Sequence, residues 1–181
     1  MGRARVPYCV AGAAALAARG LPRMTRDLDL VVLVDDAVKA VAALRRAGLR
    51  PATPVGTDDA PEAMIVFVDP ATHVDVDLLV ASGDPEASAI ERASRAKVLG
   101  ASARVATLES LLLMYLYSNQ PKHRGDFAAI VQSGRADLAG AERQLAVMHP
   151  EMLRAWKERV DEARSPAPAP RRPPPRPRRA R

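Results

Sequence analysis

The segment that most constrains the fold is residues 28–34, an apolar run interrupted by one acid, Asp29. A strand that is apolar on both faces is typical of the centre of a sheet, where other elements cover it on each side. Asp27 lies two positions before Asp29, and alternate residues of a strand point to the same face. Two carboxylates in this arrangement repel each other unless a divalent cation neutralises them. The sequence therefore predicts a buried strand that carries a pair of metal-binding acids.

The residues before this strand predict a turn that can bind phosphate. Residues 7–11 form a short apolar run, Gly12 follows directly, and residues 13–19 are alanine-rich and favour a helix that ends at Gly20. Backbone N–H groups at such a strand–helix turn can donate to phosphate oxygens. Three arginines between this helix and the acidic strand are available as further phosphate ligands: Arg19, Arg23 and Arg26.

A second pair of acids lies in a predicted β-hairpin. Residues 63–68 and 73–80 each favour a strand, and the turn residues 69–72 connect them. Asp75 and Asp77 alternate with valines and point to the same face of the second strand. Either of them is a candidate for a third carboxylate at the site.

The order of the predicted elements divides the chain into three parts. Residues 84–95 favour a helix, and from residue 107 onwards the chain favours helices over 108–118, 125–132, 138–148 and 151–164. A sheet followed by helices indicates an α/β class with a mixed sheet flanked by helices and then a small helical bundle. We therefore predict an α/β core over residues 1–106, a helical portion over 107–164 and a tail over 165–181.

The charge of the chain comes from the tail. The chain has 27 basic and 21 acidic residues, and six of the arginines lie in residues 165–181, which contain no acid, so the rest of the chain is neutral. This proline- and arginine-rich segment has no apolar periodicity and is predicted to be disordered. It is a candidate for contact with a polyanion such as RNA.

The single cysteine and the N-terminal residues bear on location. Cys9 has no cysteine to pair with inside the chain, which favours a reducing, cytoplasmic compartment. The apolar run 6–18 follows Arg3 and Arg5 and imitates a secretory signal, which is the alternative. It is shorter than the roughly 20 residues of a membrane span, so no membrane association is expected.

The first segment resembles a known family. A Gly-x-x-Arg-x-Thr-x-Asp-x-Asp run, formed here by Gly20, Arg23, Thr25, Asp27 and Asp29, is similar to that of the nucleotidyltransferase superfamily, in particular the AbiEii-type abortive-infection toxins. The likeness covers about residues 8–132 and is looser after the first segment. Asp77-Leu-Leu-Val resembles the family's third carboxylate strand, and Glu109-Ser-Leu-Leu and residues 122–126 resemble its later helices.

The resemblance implies a role for each matching residue. Asp27, Asp29 and Asp77 would be both metal ligands and catalytic residues, with two Mg²⁺ or Mn²⁺ ions bridging a nucleoside triphosphate (NTP). Asp77 would also favour deprotonation of the attacking hydroxyl, with Asp75 as its competitor for this role. The implied nucleotide-binding residues are Gly12, Ala13, Arg23, Thr25, Arg26, Lys122 and Asp126.

Two positions depart from the family pattern. Ala13 replaces the second Gly or Ser of the phosphate-binding pair, and Tyr115 stands where the family commonly has a lysine that contacts nucleotide. Lys122 is a candidate to substitute for that lysine. These departures favour an alternative in which the chain is a nucleotidyltransferase-like binding module, an antitoxin or regulator without turnover.

The function implied by the resemblance is metal-dependent transfer of a nucleotidyl group from an NTP to a hydroxyl of RNA, with tRNA as one candidate, or of protein. It would belong to a bacterial toxin–antitoxin or abortive-infection system, with a cognate antitoxin or toxin as partner. A small-molecule acceptor such as an aminoglycoside is a third hypothesis, for which the sequence offers no recognisable pocket.

The tail is expected to contribute nothing to folding, because residues 165–181 offer no apolar surface to bury. A chain that ends at Arg164 should therefore melt within a few degrees of the full-length protein, as measured by circular dichroism. A larger loss would contradict the prediction of a disordered tail.

Overall fold

The computed structural model describes residues 1 and 4–165 of the chain. The strands in this part are β1 (Cys9–Val10), β2 (Asp27–Leu33), β3 (Arg50–Pro51), β4 (Met64–Val68), β5 (Asp75–Ala81), β6 (Ser94–Val98) and β7 (Ala101–Val105). The α-helices are α1 (Gly12–Ala18), α2 (Ala37–Arg46), α3 (Asp84–Arg92), α4 (Leu108–Leu116), α5 (Pro121–Ser133), α6 (Leu138–Met148) and α7 (Leu153–Arg164). Apart from Ser165, the predicted tail lies outside the described residues.

The strands form one mixed sheet in the order β3-β4-β5-β2-β1-β7-β6. β2 runs parallel to β5, and β1 runs parallel to β7, whereas the other neighbours are antiparallel. Parallel neighbours need a long connection, and the chain between β2 and β5 contains α2, β3 and β4. The predicted hairpin of β4 and β5 is confirmed by their antiparallel pairing.

β2 is the central strand of the sheet, as its composition predicts. Its consecutive residues Leu30, Val31 and Val32 are all buried. Because neighbouring residues point to opposite faces, this burial requires cover on both sides of the sheet. Helices α1, α2 and α3 all contact β2. The acids at its start are therefore carried by a central strand that is covered on both faces.

The later helices pack on one another and on the sheet. Thr107 accepts a hydrogen bond from the backbone N–H of Ser110 and so caps the start of α4. Most of α4 is buried, as expected for a helix that is apolar on nearly all sides. α5 packs against α7, where the rings of Phe127 and Trp156 meet edge to face with centroids 5.7 Å apart. The predicted fold class, a mixed sheet with flanking helices followed by a helical bundle, is confirmed.

One hairpin was not predicted. Residues 84–95 were expected to be helical, but α3 ends at Arg92 and the chain then forms β6 and β7. β6 is an edge strand of alternating small and charged residues, which lack the apolar pattern that identifies a strand. The turn uses Leu99 and Gly100 with φ values of 49° and 82°. Two consecutive positive φ values define the tight turn that hairpins prefer, but leucine is an unusual residue in it.

Helix α5 begins at Pro121, four residues before the predicted start at residue 125. A proline in the first turn suits the start of a helix because its missing N–H would have no partner there. The earlier start places Lys122 in the first turn of α5. No helix in residues 4–165 has both the length and the apolar character needed to cross a membrane.

Candidate active site

The parallel pairing of β2 and β5 brings four acids together. Asp29 lies in register with Asp77, and Asp27 lies in register with Asp75. Paired residues of neighbouring strands point to the same face, and alternate residues of one strand do too. All four carboxylates therefore share one face of the sheet. Asp75 is exposed, whereas Asp27, Asp29 and Asp77 are partly buried.

Gly12 lies directly against the Asp29 carboxylate. Its φ is 57°, a left-handed conformation that glycine adopts without strain. A Cβ at this position would overlap Oδ2 of Asp29. The neighbouring Ala11 donates its backbone N–H to the Asp29 carbonyl oxygen at 2.9 Å. The turn between β1 and α1 is thus held beside the acids, and only glycine fits there.

The buried acids disfavour one another's charge. Burial, followed by the negative charges of Asp27 and Asp77, raises the pKa of Asp29 to about 6, although the positive charges of Lys122 and Arg23 act in the opposite direction. Burial, followed by the charges of Asp27 and Asp75, also raises the pKa of Asp77. A cluster of this kind would be stabilised by a bound cation.

Two basic residues lie near the acids, and they come from different parts of the chain. Arg23 lies in the loop before β2, and its Nε is 3.2 Å from Oδ1 of Asp126 on α5. Asp126 is buried, so this ion pair fixes the arginine against the helical bundle. Lys122 is exposed at the start of α5. Its positive charge partly offsets the rise in the pKa of both Asp29 and Asp77. Both cations therefore act on the carboxylate cluster.

Three of the predicted nucleotide-binding residues lie near the start of β2: Thr25, Ala13 and Arg26. The Thr25 hydroxyl donates to the Asp27 carboxylate and so orients a candidate metal ligand. Ala13 and the exposed Arg26 line a cavity of about 480 Å³ that borders Asp27. Ala13 is buried, and its methyl group cannot donate the hydrogen bond that a serine hydroxyl would offer here.

The Arg19 side chain makes structural contacts. It is not placed to bind phosphate, contrary to the prediction from the sequence. Its guanidinium donates to the carbonyl oxygens of Ala106 at 3.0 Å and Val105 at 2.6 Å, and to the Ser94 hydroxyl at 2.8 Å. These bonds tie α1 to the unpredicted hairpin of β6 and β7. The sequence could not reveal them because their partners lie 75 to 87 positions away.

Tyr115 and His123 complete the side of the site that faces the helices. The two rings stack with centroids 4.7 Å apart and an angle of 19° between their planes. Nδ1 of His123 is 2.6 Å from the Ser118 hydroxyl, so its ring is anchored to the end of α4. Tyr115 is buried, and the stacked pair forms only where α4 and α5 pack together, so the sequence could not reveal it.

The carboxylates fit a divalent cation in donor type and charge. Mg²⁺ and Mn²⁺ prefer oxygen ligands, and Asp29 carries a buried charge that two neighbouring acids disfavour. In the part of the chain that the structure describes, no three His, Cys, Asp or Glu side chains already converge as a metal site. The acids that would hold a cation are Asp27, Asp29 and Asp77.

Removing the Asp29 charge is expected to stabilise the metal-free protein. A pKa of about 6 in place of the ordinary 3.8 means that the folded state binds this proton more tightly than the unfolded state. Stability is therefore lost as the pH rises from about 4 to 6 and stays lower above that window. Asp29→Asn should stabilise the protein by roughly 1 to 3 kcal/mol at pH 7.5, and by much less at pH 4.

Urea unfolding in EDTA at the two pH values measures this difference. The matched control is Asp75→Asn, which removes an exposed acid from the same face and should change stability by about 0.5 kcal/mol or less. An Asp29→Asn variant that is less stable than wild type at pH 7.5, or equally stabilised at both pH values, would contradict the description of Asp29 as a disfavoured buried charge.

Comparison with known proteins relates this geometry to solved structures. Neither a protein-family model nor a curated protein matches the chain by sequence. The solution structure of the antibiotic-resistance factor ANT(2″)-Ia matches with a TM-score of 0.51 and 17% identity, over 83% of this chain and 90% of that chain. ANT(2″)-Ia in complex with adenylyl-2″-tobramycin matches with a TM-score of 0.51 and 15% identity, over 91% and 92% of the two chains. The chain therefore has a nucleotidyltransferase-like α/β fold.

Proposed function

We propose that this protein is an enzyme that transfers a nucleotidyl group from an NTP to a hydroxyl acceptor. The observation that carries the proposal is the register of β2 and β5, which aligns Asp29 with Asp77 on one face, next to Gly12. A metal-bound triphosphate requires clustered acids to hold the metal, a turn whose backbone it can approach closely, as at Gly12, and cations nearby. The nucleotidyltransferase-like fold is consistent with this chemistry.

The residues divide into those that bind cations and those that bind phosphate. Asp27 and Asp29 would hold the divalent ions, with Thr25 orienting Asp27. Bound Mg²⁺ or Mn²⁺ would supply Lewis-acid stabilisation of the charge on the phosphate oxygens. Arg23 and Lys122 are the cations available to the phosphate chain, and the former is pre-oriented by its buried partner on α5.

Asp77 is the group best suited to accept the proton of the acceptor hydroxyl. Its pKa is raised by burial and by the acids beside it, which makes it a better base than an ordinary carboxylate. Asp75 competes for this role but is exposed and lies in register with Asp27. We therefore assign the third carboxylate to Asp77.

The acceptor that the charges favour is RNA. The six arginines of residues 165–181 provide an excess of positive charge on an otherwise neutral chain, and such a segment attracts polyanions. Arg26 and Lys97 add two cations to the cavity beside Asp27. By its resemblance to the AbiEii-type toxins, the protein would act on RNA in a cytoplasmic toxin–antitoxin system with a cognate partner.

A second candidate function is a binding module without turnover. The observation that favours it is the spacing of the acids, since no three of them converge as a metal site within the described residues. In this case the site would bind nucleotide through Arg23 and Lys122 without completing transfer.

Label transfer from α-labelled NTP distinguishes the two functions. Wild type, incubated with Mg²⁺, each NTP in turn and total RNA, is expected to label RNA. Asp29→Asn should transfer none, because it removes a metal ligand. Asp77→Asn should lose about 100-fold or more, the range for a missing general base. Asp75→Asn is the matched control and should lose far less.

The acceptor is identified by parallel reactions with the protein alone and with tobramycin in place of RNA. A chain that ends at Arg164 should label RNA less well, and its activity should depend less steeply on salt. Label on tobramycin but not on RNA would replace the RNA acceptor with a small molecule. Wild type that binds NTP but labels none of the acceptors would contradict the enzyme and support the binding module.

A further inference from the structure

A large cleft lies at the end of the sheet away from the acids. It has a volume of about 1010 Å³ and is formed by the residues before β1, the ends of α2 and α3, and the hairpin of β6 and β7. Tyr8, just before β1, lines this cleft, whereas Gly12, just after β1, lies against Asp29. The two sites are thus at opposite ends of β1, and we call this one the distal cleft.

The distal cleft carries a local excess of positive charge. Its described lining contains one acid, Glu91, and four arginines: Arg5, Arg46, Arg95 and Arg104. Four positive charges against one negative give an excess of three, although the chain before the tail is neutral as a whole. The first three arginines are exposed, and within residues 4–165 none of them forms an ion pair.

Two of these arginines are direct neighbours across the hairpin. Arg95 on β6 pairs in register with Arg104 on β7, so both side chains project from the same face. Like charges directly opposite each other destabilise a pair of strands. An anion bound beside both guanidinium groups would relieve this repulsion, just as a cation would relieve the repulsion among the acids.

The helix ends at the distal cleft do not oppose an anion. The last carbonyl oxygens of a helix carry partial negative charge when they lack donors. At the end of α3, Arg104 donates to the carbonyl oxygens of Ile90 at 2.8 Å and Glu91 at 3.2 Å. At the end of α2, the carbonyl oxygens of residues 43–45 accept the backbone N–H groups of residues 47–49. The three exposed arginines are therefore left for a ligand.

The lining between the arginines is largely apolar. Val6, Ala43 and Ile90 are buried, and Tyr8 is half-buried. A cleft with a buried apolar wall and exposed cations suits a ligand that has both an apolar body and an anionic group. Its volume is at the upper end of the range for small-molecule sites, roughly 300 to 1,000 Å³. The backbone of RNA would use the charges but not the apolar wall.

We propose that the distal cleft binds an organic diphosphate, of which a nucleoside diphosphate is the simplest example. The phosphates lie against Arg5, Arg46 and Arg95, and the organic body lies against the apolar wall. A diphosphate ester carries roughly two to three negative charges near neutral pH, because its last proton titrates near pH 6. Three arginines match this charge, and their planar guanidinium groups suit phosphate oxygens.

The proposal predicts effects of opposite sign on stability and binding for Arg95→Gln. Without ligand, the substitution removes one of two facing charges, so the melting temperature should rise by about 1 to 2 °C at low salt. This gain should shrink at high salt, which screens the repulsion. With ligand, the same substitution removes a phosphate contact and should weaken binding. An arginine with a purely structural role would not give this combination.

Calorimetry with ADP and with inorganic pyrophosphate tests the binding. The titrations contain EDTA, so that metal-dependent binding at the acids does not contribute. ADP should bind Arg46→Gln and Arg95→Gln about tenfold or more weakly than wild type. The matched control is Arg45→Gln, because Arg45 is exposed on the same helix as Arg46 but lines a different cavity. Its affinity should not change, and pyrophosphate, which lacks an apolar body, should bind wild type more weakly than ADP.

Three results would overturn the proposal: no binding of millimolar ADP by wild type, equal affinity of ADP for wild type and Arg95→Gln, or pyrophosphate binding as tightly as ADP. A parallel titration with tRNA that is weakened by the same variants, when ADP does not bind, would replace the diphosphate with RNA. The proposal is independent of the proposed function. Arginine-dependent binding of ADP by a protein that labels no acceptor would defeat the proposed function alone.

Discussion

The parallel pairing of β2 with β5 is the interaction on which the candidate site depends. Its register sets Asp29 beside Asp77 and Asp27 beside Asp75. A slip of one residue would move every side chain of one strand to the opposite face and separate the two pairs. The apolar residues of the same strands fix the register: Val31, Val32 and Leu78 have no exposed surface and must face covered sides of the sheet. Core packing and the placement of the acids are thus set by a single pairing.

The site is costly to the unliganded fold. Asp29 is partly buried among other acids, and within the described residues the Tyr115 hydroxyl has no hydrogen-bond partner. A bound divalent cation would relieve the repulsion among the acids. Groups with perturbed pKa values and unpaired polar atoms tend to occur together at functional sites, where stability is lower so that binding can be stronger. The Arg23–Asp126 pair has the opposite role, since it orders a loop before any ligand binds.

Local pattern was sufficient to predict much of the fold and the acids. An apolar run identified β2, the turn at residues 69–72 identified the hairpin of β4 and β5, and alternation placed Asp27 and Asp29 on one face. Pattern failed where contacts between distant residues decide the structure. The hairpin of β6 and β7 lacks an apolar pattern, and the Arg19 side chain that bonds to it lies 75 to 87 positions away in the sequence. The division into domains, the roles of the site residues, the RNA acceptor and the toxin–antitoxin role remain predictions.

Whether the carboxylates bind a metal-bound nucleotide can be observed directly in crystals grown with Mn²⁺ and a non-hydrolysable NTP. Anomalous diffraction locates Mn²⁺ without reference to any assumed role for the acids. The expected result is an anomalous peak within coordination distance, about 2.2 Å, of Asp29 oxygens. A further ligand should come from Asp27 or Asp77, and the triphosphate should lie along Gly12 and Arg23. Mn²⁺ and nucleotide bound together at another place, with the Asp29 carboxylate free, would contradict the assignment of the active site.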